Sequence, residues 1–329
     1  MRRHHSFNTI KTKKAEPKKS WACLERVDTE YASPRYRGIE LWSVAEMLDA
    51  LVEGQLAAVA AVRAARGALV QAAAAIEARL RQGGRLVYAG AGTSGRLAVQ
   101  DGAELAPTFG WPAERLVVLL AGGEAALLRA VEGAEDDADM AGALVRRHEI
   151  GGADVLVAVA ASGVTPFTLA ALREARRRGA LTVGIANNRD TPLLAEADCP
   201  IRLDTGPEAI AGSTRMKAGT AQRVALTVLS SVVMIRLGQV YQGMMVGMRP
   251  ANAKLARRGE AILMDLAGAD RDTARAALAR AGGDIKIALL LLEGCELHEA
   301  TAILGRTGGR LHEARGRAGA PPARKRGFR

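Results

Sequence analysis

Short apolar runs alternate with helical patterns between residues 85 and 203. Most of these runs are almost continuously apolar, which is typical of parallel strands that are buried on both faces. Strands separated by helices indicate a doubly wound parallel sheet, an α/β fold in three layers that binds ligands at the carboxyl ends of its strands. The runs that predict strands are Leu86–Ala89, Leu116–Ala121, Val155–Ala160, Leu181–Ile185 and the weaker Pro200–Leu203.

Helical patterns without strands flank this central region. Residues 39–80 predict two alanine-rich helices, because apolar residues recur there every three or four positions. Residues 214–237 predict a long helix that is apolar nearly all round, which fits a core helix or, equally well, a homodimer interface. Short helical patterns broken by glycines follow. We therefore expect a basic disordered tail (1–20), the α/β domain with its N-terminal helices (21–248), a small helical module (249–316) and a second basic disordered tail (317–329).

A glycine-rich turn with two hydroxyl side chains follows the first predicted strand. It reads Gly90-Ala-Gly-Thr-Ser-Gly95 and leads directly into a helical pattern, so unpaired N–H groups and the positive helix end would converge on one anion. The spelling also fits the dinucleotide fingerprint, with Glu124 as a distant candidate for the acid that binds the ribose. The two hydroxyl groups favour a compact phosphate over a pyrophosphate that passes close to bare backbone.

Two further hydroxyl–glycine turns strengthen the phosphate prediction. One contains Ser162-Gly163 and precedes a helical segment from Thr165, and the other, residues 211–220, opens the long apolar helix. Three such turns favour one pocket for a phosphorylated sugar, whereas a dinucleotide fold needs only the first. Lys217 is interpreted either as a phosphate partner or as a solvated helix residue. The candidate substrate-binding residues are Gly92, Thr93, Ser94, Gly95, Ser162, Gly163, Thr165, Ser213, Thr214 and Lys217.

Glu104 is the first candidate for acid–base chemistry. It lies near the end of the helix that follows the first turn, and we expect Pro107 to stop this helix. The negative helix end and the carboxylate of Asp101, one turn earlier, both favour a protonated Glu104, as a proton donor requires. Glu135 belongs to an acidic run over 132–137, for which a solvated turn at a helix start is the simple interpretation.

The positive charge of the chain is concentrated in its ends. The net charge is +11, but residues 1–19 and 314–329 each carry +6, which leaves about −1 for the body. We interpret the ends as solvated, which argues against a nucleic-acid function. Cys23, Cys199 and Cys295 have neither metal-site nor disulfide spacing, so we expect buried thiols in a reducing compartment. Because no run reaches a membrane-spanning length and no secretory signal is evident, we expect a cytoplasmic protein without membrane contact.

Several segments in unbroken order match a known family over about residues 85–255. They are Gly90–Leu97, Glu104 with Pro107–Gly110, Ala121–Glu124, Glu132–Asp137, Ala160–Gly163 with Thr165-Pro166, Gly212–Ala221, Met234–Gly238, Met245-Val246 and Asn252–Leu255. On these segments the chain resembles the N-acetylmuramic acid 6-phosphate etherases, a family with a sugar-isomerase-type (SIS) phosphosugar-binding domain.

The resemblance implies a carbon–oxygen lyase of cell-wall (peptidoglycan) amino sugar recycling. Such an enzyme cleaves the lactyl ether of N-acetylmuramic acid 6-phosphate to give N-acetylglucosamine 6-phosphate and D-lactate. The reaction needs one carboxylate base and one carboxylic acid, and neither a metal nor another cofactor. By resemblance, Glu104 and Glu135 are the catalytic residues and Glu104 is the proton donor.

The chain departs from the family pattern at four places. Residues 29–34 only echo the usual Thr-Glu-x-Arg-Asn-Pro opening, and Asn187-Asn188-Arg189 stands where Cys-Asn-Pro is common. Val164 replaces an arginine, and Gly247 replaces an aspartate. These changes alter polar contacts but not the two glutamates, so they bear on substrate preference more than on the reaction.

Two other functions use related domains. An aldose–ketose isomerase of phosphosugars would need the same phosphate turns and a base at C2, but no second carboxylate to expel lactate. A phosphosugar-sensing regulator tends to carry a duplicated domain, for which this chain has no room. The pair of glutamates favours the etherase, which we expect to act as a homodimer.

Overall fold

Five parallel strands form one sheet at the centre of the protein, which a computed structural model describes over residues 28–317. The strand order is β2-β1-β3-β4-β5. Each strand lies within one residue of its predicted bounds, and the predicted α/β fold is confirmed. The strands are β1 (Leu86–Gly90), β2 (Leu116–Leu120), β3 (Val155–Val159), β4 (Leu181–Ala186) and β5 (Cys199–Arg202).

Helices surround the sheet and continue beyond it. The first begins at a capping box, in which the Ser43 hydroxyl accepts from the Glu46 N–H and the Glu46 carboxylate accepts from the Ser43 N–H. The α-helices are α1 (Val44–Ala64), α2 (Arg66–Arg81), α3 (Gly92–Phe109), α4 (Ala125–Leu128), α5 (Ala138–Arg147), α6 (Pro166–Arg177), α7 (Pro192–Glu196), α8 (Lys217–Arg236), α9 (Ala253–Ala267), α10 (Arg271–Arg280), α11 (Ile285–Leu292), α12 (Leu297–Arg306) and α13 (Leu311–Arg317).

The sheet is the middle layer of three, because successive side chains of a strand point to opposite faces. Leu86 and Tyr88 of β1 pack in one apolar core with helices α2, α3 and α8. Val87 and Ala89 pack in a second core with helices α5 and α6. Both faces of β1 are therefore buried, as the continuous apolar run predicts.

Helix α8 is buried on one side and exposed on the other. Val228, Val232 and Ile235 are each at least 40% exposed, although the helix packs against α1, α2 and α3. Among the described residues, α8 is long and apolar enough to cross a membrane, judged by length and composition alone, and more than half of it is buried inside the protein. We expected no run of such a length; α8 reaches it, and a mostly buried core helix can have the same length and composition.

A third apolar core belongs to the C-terminal helices. It joins side chains from α9 to α13 with Val246 and Met248, which precede the predicted start of the module at residue 249. The division into domains at that residue stays a prediction. The two predicted tails lie almost wholly outside the described residues, as does Cys23.

One arginine and two cysteines have a different exposure from the one that we expected. Arg315, counted with the solvated C-terminal charge, is buried and forms an ion pair with Glu293 at 2.5 Å, and it also donates to the Tyr241 hydroxyl at 2.6 Å. Cys199 and Cys295 are free thiols as expected, but they are half-buried at the edges of two cores. Partial burial raises the pKa of both thiols.

Candidate active site

A cavity of about 350 Å³ opens at the carboxyl ends of β1 and β3. The chain leaves β1 toward β2 on one side and later returns to β3 on the other, so this is the switch point at which doubly wound sheets bind ligands. The lining residues are Glu30, Ala91, Gly92, Thr93, Ser94, Glu135, Asp136, Ala160, Ala161, Ser162, Val164, Thr165, Pro166 and Thr214.

The first turn brings the N-terminus of α3 to the cavity. No side chain of the N-cap residue Ala91 caps the helix, and Gly92, at φ +52°, leaves open space where a Cβ would stand. Gly95 has a different role, because an added Cβ would lie 2.7 Å from the carbonyl oxygen of Gly90. Gly95 therefore lets α3 pack closely on β1, and Gly92, Thr93 and Ser94 face the cavity.

The second turn brings the N-terminus of α6 to the same cavity. The Ser162 hydroxyl lies 3.3 Å from the Thr165 hydroxyl and accepts from the Val164 N–H at 3.3 Å. No side chain of the N-cap residue Thr165 caps α6. Gly163 does not line the cavity, because it packs against Thr191, whose Oγ1 would lie 2.4 Å from an added Cβ.

The third turn contributes only Thr214 to the cavity lining. The N-terminus of α8 is filled by Glu208, which is 1% exposed and accepts from the N–H groups of Lys217 at 3.0 Å and Ala218 at 2.8 Å. The predicted binding residues Ser213 and Lys217 do not line the cavity. Lys217 is not a solvated helix residue, since its side chain is buried against Gly54 and burial lowers its pKa. Its role as a phosphate partner stays a prediction.

The acidic run after β2 divides between two roles. Glu135 and Asp136 lie on a single 3₁₀ turn, Ala134–Asp136, and line the cavity. Asp137 caps helix α5, because its carboxylate accepts from the Met140 N–H at 2.9 Å. All four acids of the run are exposed, as the solvated-turn interpretation predicts, and Glu135 lines the cavity as well.

Glu104 lies outside this cavity, exposed on the surface of α3. It is twelve residues beyond Gly92, which corresponds to about 18 Å along the helix axis. The helix does not stop at Pro107 as predicted but continues to Phe109 and ends at Gly110, at φ +66°.

Asp101 and Glu104 lie three residues apart on α3 but differ in exposure, because Asp101 is buried and Glu104 is exposed. Asp101 is buried and accepts from the Tyr88 hydroxyl at 2.7 Å and the Ser230 hydroxyl at 3.2 Å. Burial, together with the neighbouring Asp101 carboxylate, raises the pKa of Tyr88 well above its ordinary value of 10. Asp101 is therefore part of the core beneath α8, whereas Glu104 faces outward.

The structure adds Glu30 to the cavity, a residue that was not among the sequence-based candidates. The only signal for it was the echo of the family's Thr-Glu opening at Thr29-Glu30. Among the described residues that line the cavity, three carry carboxylates and none is a lysine, arginine or histidine. No three of the described histidines, cysteines, aspartates and glutamates are grouped so that they could hold a metal ion.

Two family models match parts of this chain. A model of the glucokinase regulatory protein N-terminal SIS domain matches residues 68–176, and the SIS domain model matches residues 130–231. A phosphoheptose isomerase from Francisella tularensis superposes with a TM-score of 0.46 and 19% identity, covering 59% of this chain and 100% of that chain.

Two curated relatives cover nearly the whole chain. The N-acetylmuramic acid 6-phosphate etherase of Deinococcus radiodurans is 51% identical over 289 residues, which are 88% of this chain and 95% of that protein. The enzyme of the same name from Halalkalibacterium halodurans is 39% identical over 88% of this chain and 98% of its own length. This chain therefore belongs to the N-acetylmuramic acid 6-phosphate etherase family.

Proposed function

We propose that the protein is an etherase that converts N-acetylmuramic acid 6-phosphate to N-acetylglucosamine 6-phosphate and D-lactate. The observation that carries the proposal is the 51% identity to a named etherase over most of both chains. The cavity supports it, because two helix N-termini without side-chain caps provide N–H groups for a phosphate and an unpaired carboxylate lies beside them. We also propose that the enzyme works in the cytoplasm.

The phosphate is held without a basic side chain in this proposal. The N–H groups at the starts of α3 and α6 point toward it, with hydroxyl groups from all three turns around them. The hydroxyl groups that line the cavity belong to Thr93, Ser94, Ser162, Thr165 and Thr214. Val164, 48% exposed at the cavity, leaves its rim without the arginine that is usual in the family.

Elimination and addition then account for the products. Glu135 takes the C2 proton of the open-chain sugar, the electron pair forms the C2–C3 double bond, and the C3–oxygen bond breaks as the acid protonates the leaving lactate oxygen. Water adds to C3 of the unsaturated aldehyde, and a proton returns to C2. Purified protein should therefore release D-lactate, and oxygen-18 from labelled water should appear at C3 of the sugar. Folded protein that releases no lactate at millimolar substrate contradicts the proposal.

We propose a homodimer, because the two longest helices expose matching apolar stripes. The stripe of α8 consists of Val228, Val232 and Ile235. An apolar groove of about 370 Å³, lined by residues of α1, α2 and α8, lies beside this stripe. An interface between two copies would bury both stripes. The stripe of α1 consists of Val44, Leu48, Val52, Leu56 and Val59.

The dimer also bears on the position of Glu104. Glu104 is about 15 Å along the helix axis from Ser94, the last residue of α3 that lines the cavity of its own chain, so it can act as the proton donor only where another cavity lies close to it. We propose that it serves the cavity of the second copy. Mixing inactive Glu104→Gln and Glu135→Gln proteins after unfolding and refolding should then restore about one quarter of wild-type activity, because half of the dimers hold one intact site of two. Absence of recovery in a mixture that forms dimers contradicts a shared site.

A further inference from the structure

Glu30 reaches the cavity from a part of the chain that is distant in sequence from the three turns. Its carboxylate lies against the third turn, where a Cβ added to Gly212 would stand 2.8 Å from Oε2 of Glu30. It makes no hydrogen bond or ion pair with any other residue between 28 and 317. A carboxylate that lines a cavity without a protein partner has its acceptor atoms available for a ligand.

The neighbouring Thr29 fixes the position of Glu30. Thr29 is fully buried, and its N–H donates to Oδ1 of Asn188 at 3.1 Å while the Asn188 amide donates to the Thr29 hydroxyl at 3.0 Å. The N–H of Gly212 donates to the Thr29 carbonyl at 3.0 Å. The Asn188 amide also donates to the carbonyl of Ala161, which lies in the second turn. Glu30 is therefore positioned by the same backbone that forms the cavity.

The charges in the cavity favour different groups of a ligand at two different places. The helix N-termini attract an anion, whereas the carboxylates of Glu30, Glu135 and Asp136 repel one. A phosphate therefore binds at the helix starts, and the carboxylates face neutral donors. A sugar offers such donors as hydroxyl groups, and an N-acetylated sugar adds an amide N–H.

We propose that Glu30 is a substrate-positioning residue that accepts a hydrogen bond from a neutral O–H or N–H group of the sugar. This inference rests on the proposed function in that it takes the ligand to be a sugar phosphate. Glu30 contacts the sugar and not the phosphate, so it contributes to the binding of an amino sugar phosphate but not to that of inorganic phosphate. It acts alongside Glu135, to which the proton transfer is assigned.

The test compares two ligands by isothermal titration calorimetry of the full-length protein. Glu30→Ala should weaken the binding of N-acetylglucosamine 6-phosphate by about 10- to 100-fold, the usual effect of losing a hydrogen bond to a charged group. Glu30→Gln should weaken it less, because the amide oxygen still accepts. The affinity for inorganic phosphate should change by less than about threefold in both variants. Glu40→Gln removes an exposed glutamate of the same N-terminal segment outside the cavity and should bind both ligands as wild type does.

Each other outcome overturns a specific statement. Equal weakening of both ligands by Glu30→Ala shows that the residue maintains the shape of the cavity, and unchanged binding of both shows that the sugar does not contact it. Either result refutes the role of Glu30. Wild-type protein that binds the sugar phosphate but releases no lactate from the etherase substrate refutes the proposed reaction and leaves the role of Glu30 intact. Wild-type protein that binds neither ligand refutes both.

Discussion

Helices α3 and α8 each have a glycine and two neighbouring hydroxyl residues at their start, but their N-termini have opposite surroundings. Thr93 and Ser94 lie in the first turn of α3, and Ser213 and Thr214 lie just before α8. The N-terminus of α3 opens into the cavity, and its N-cap residue provides no capping side chain. The N-terminus of α8 is closed by Glu208, which lies nine residues before Lys217 and accepts from two N–H groups of the first turn.

The difference shows that a helix start predicts an anion site without identifying the anion. At α8 the anion is a carboxylate of the protein itself, and the helix end serves stability. At α3 the corresponding groups remain available to a ligand. Glu135 and Glu208 differ in the same way. Glu135 lines the cavity without a partner among the described residues, whereas Glu208 is buried and accepts two hydrogen bonds. The predictions below separate these two roles.

The largest effect is expected for Glu135→Gln in the cavity, where the N-terminus of α3 is open to a ligand. The variant keeps the shape of the side chain but cannot accept the C2 proton, so turnover should fall by about 10²- to 10⁴-fold. The free energy of unfolding should change little, because Glu135 makes no hydrogen bond or ion pair with another described residue. Lactate release and urea denaturation measure the two quantities. Glu132→Gln, an equal change in the same acidic run outside the cavity, is the matched control.

Glu104→Gln should reduce turnover by a similar factor if Glu104 is the proton donor. Exchange of the C2 proton in deuterated water separates the two glutamates. A variant that exchanges the proton without releasing lactate has lost the acid, and one that does neither has lost the base. Near-normal turnover in both variants would place the chemistry on other residues.

Glu208→Ala, at the N-terminus of α8, should reduce stability but not ligand binding. Two buried N–H groups lose their acceptor, which should lower the free energy of unfolding by about 2 to 4 kcal/mol. The affinity of the folded protein for the sugar phosphate should remain within a few-fold of wild type, because Glu208 does not line the cavity. Denaturation and ligand titration of the same preparation test both parts. An unchanged stability with lost affinity would contradict the contrast between the two helix starts.

Gly95→Ala tests the close packing that holds the open helix start in place. The added methyl group would stand 2.5 Å from Leu120 Cδ1 and 2.7 Å from the Gly90 carbonyl oxygen. We expect a loss of about 1 to 3 kcal/mol in unfolding free energy, together with weaker phosphate binding as α3 shifts away from β1. Gly67→Ala in α2 is the control, since no atom lies within 4 Å of its added Cβ and alanine favours a helix. Equal effects of the two changes would show that the packing around Gly95 is not tight.

The smallest effect on binding is expected for Lys217→Met. Because Lys217 does not line the cavity, the affinity for sugar phosphate should change by less than about twofold. A loss beyond tenfold would support its predicted role as a phosphate partner. Inorganic phosphate binding, measured in parallel, shows whether any change concerns the phosphate itself.

Lys217 should also affect the pH dependence of stability. Burial lowers its pKa below the usual 10.5, so between the two values the folded protein has released a proton that the unfolded chain still binds. Raising the pH through that window therefore stabilises wild type relative to Lys217→Met. Denaturation at pH 7 and near pH 10 checks the sign. The prediction is contradicted if the unfolding free energy of wild type minus that of Lys217→Met falls as the pH rises.

The sequence by itself determined the layered fold and the first two turns of the cavity. Buried parallel strands must be continuously apolar, and a turn at the carboxyl end of such a strand must lie at the ligand-binding edge of the sheet, so local patterns were sufficient for β1, β3 and the residues after them. The family resemblance added the reaction and the two glutamates. It did not state where Glu104 lies relative to the cavity.

Only the tertiary structure decided which groups meet there. Glu30 reaches the cavity because Thr29 pairs with Asn188, and Glu208 rather than a ligand closes α8. Lys217 turns toward Gly54, and Glu104 stays on the outer face of α3. Each of these placements depends on contacts between residues that are distant in the chain or on the rotation of a helix about its axis. Local periodicity carries no information about the partner of a buried polar group, which is why the polar groups of the site, and not the apolar core, were predicted least well.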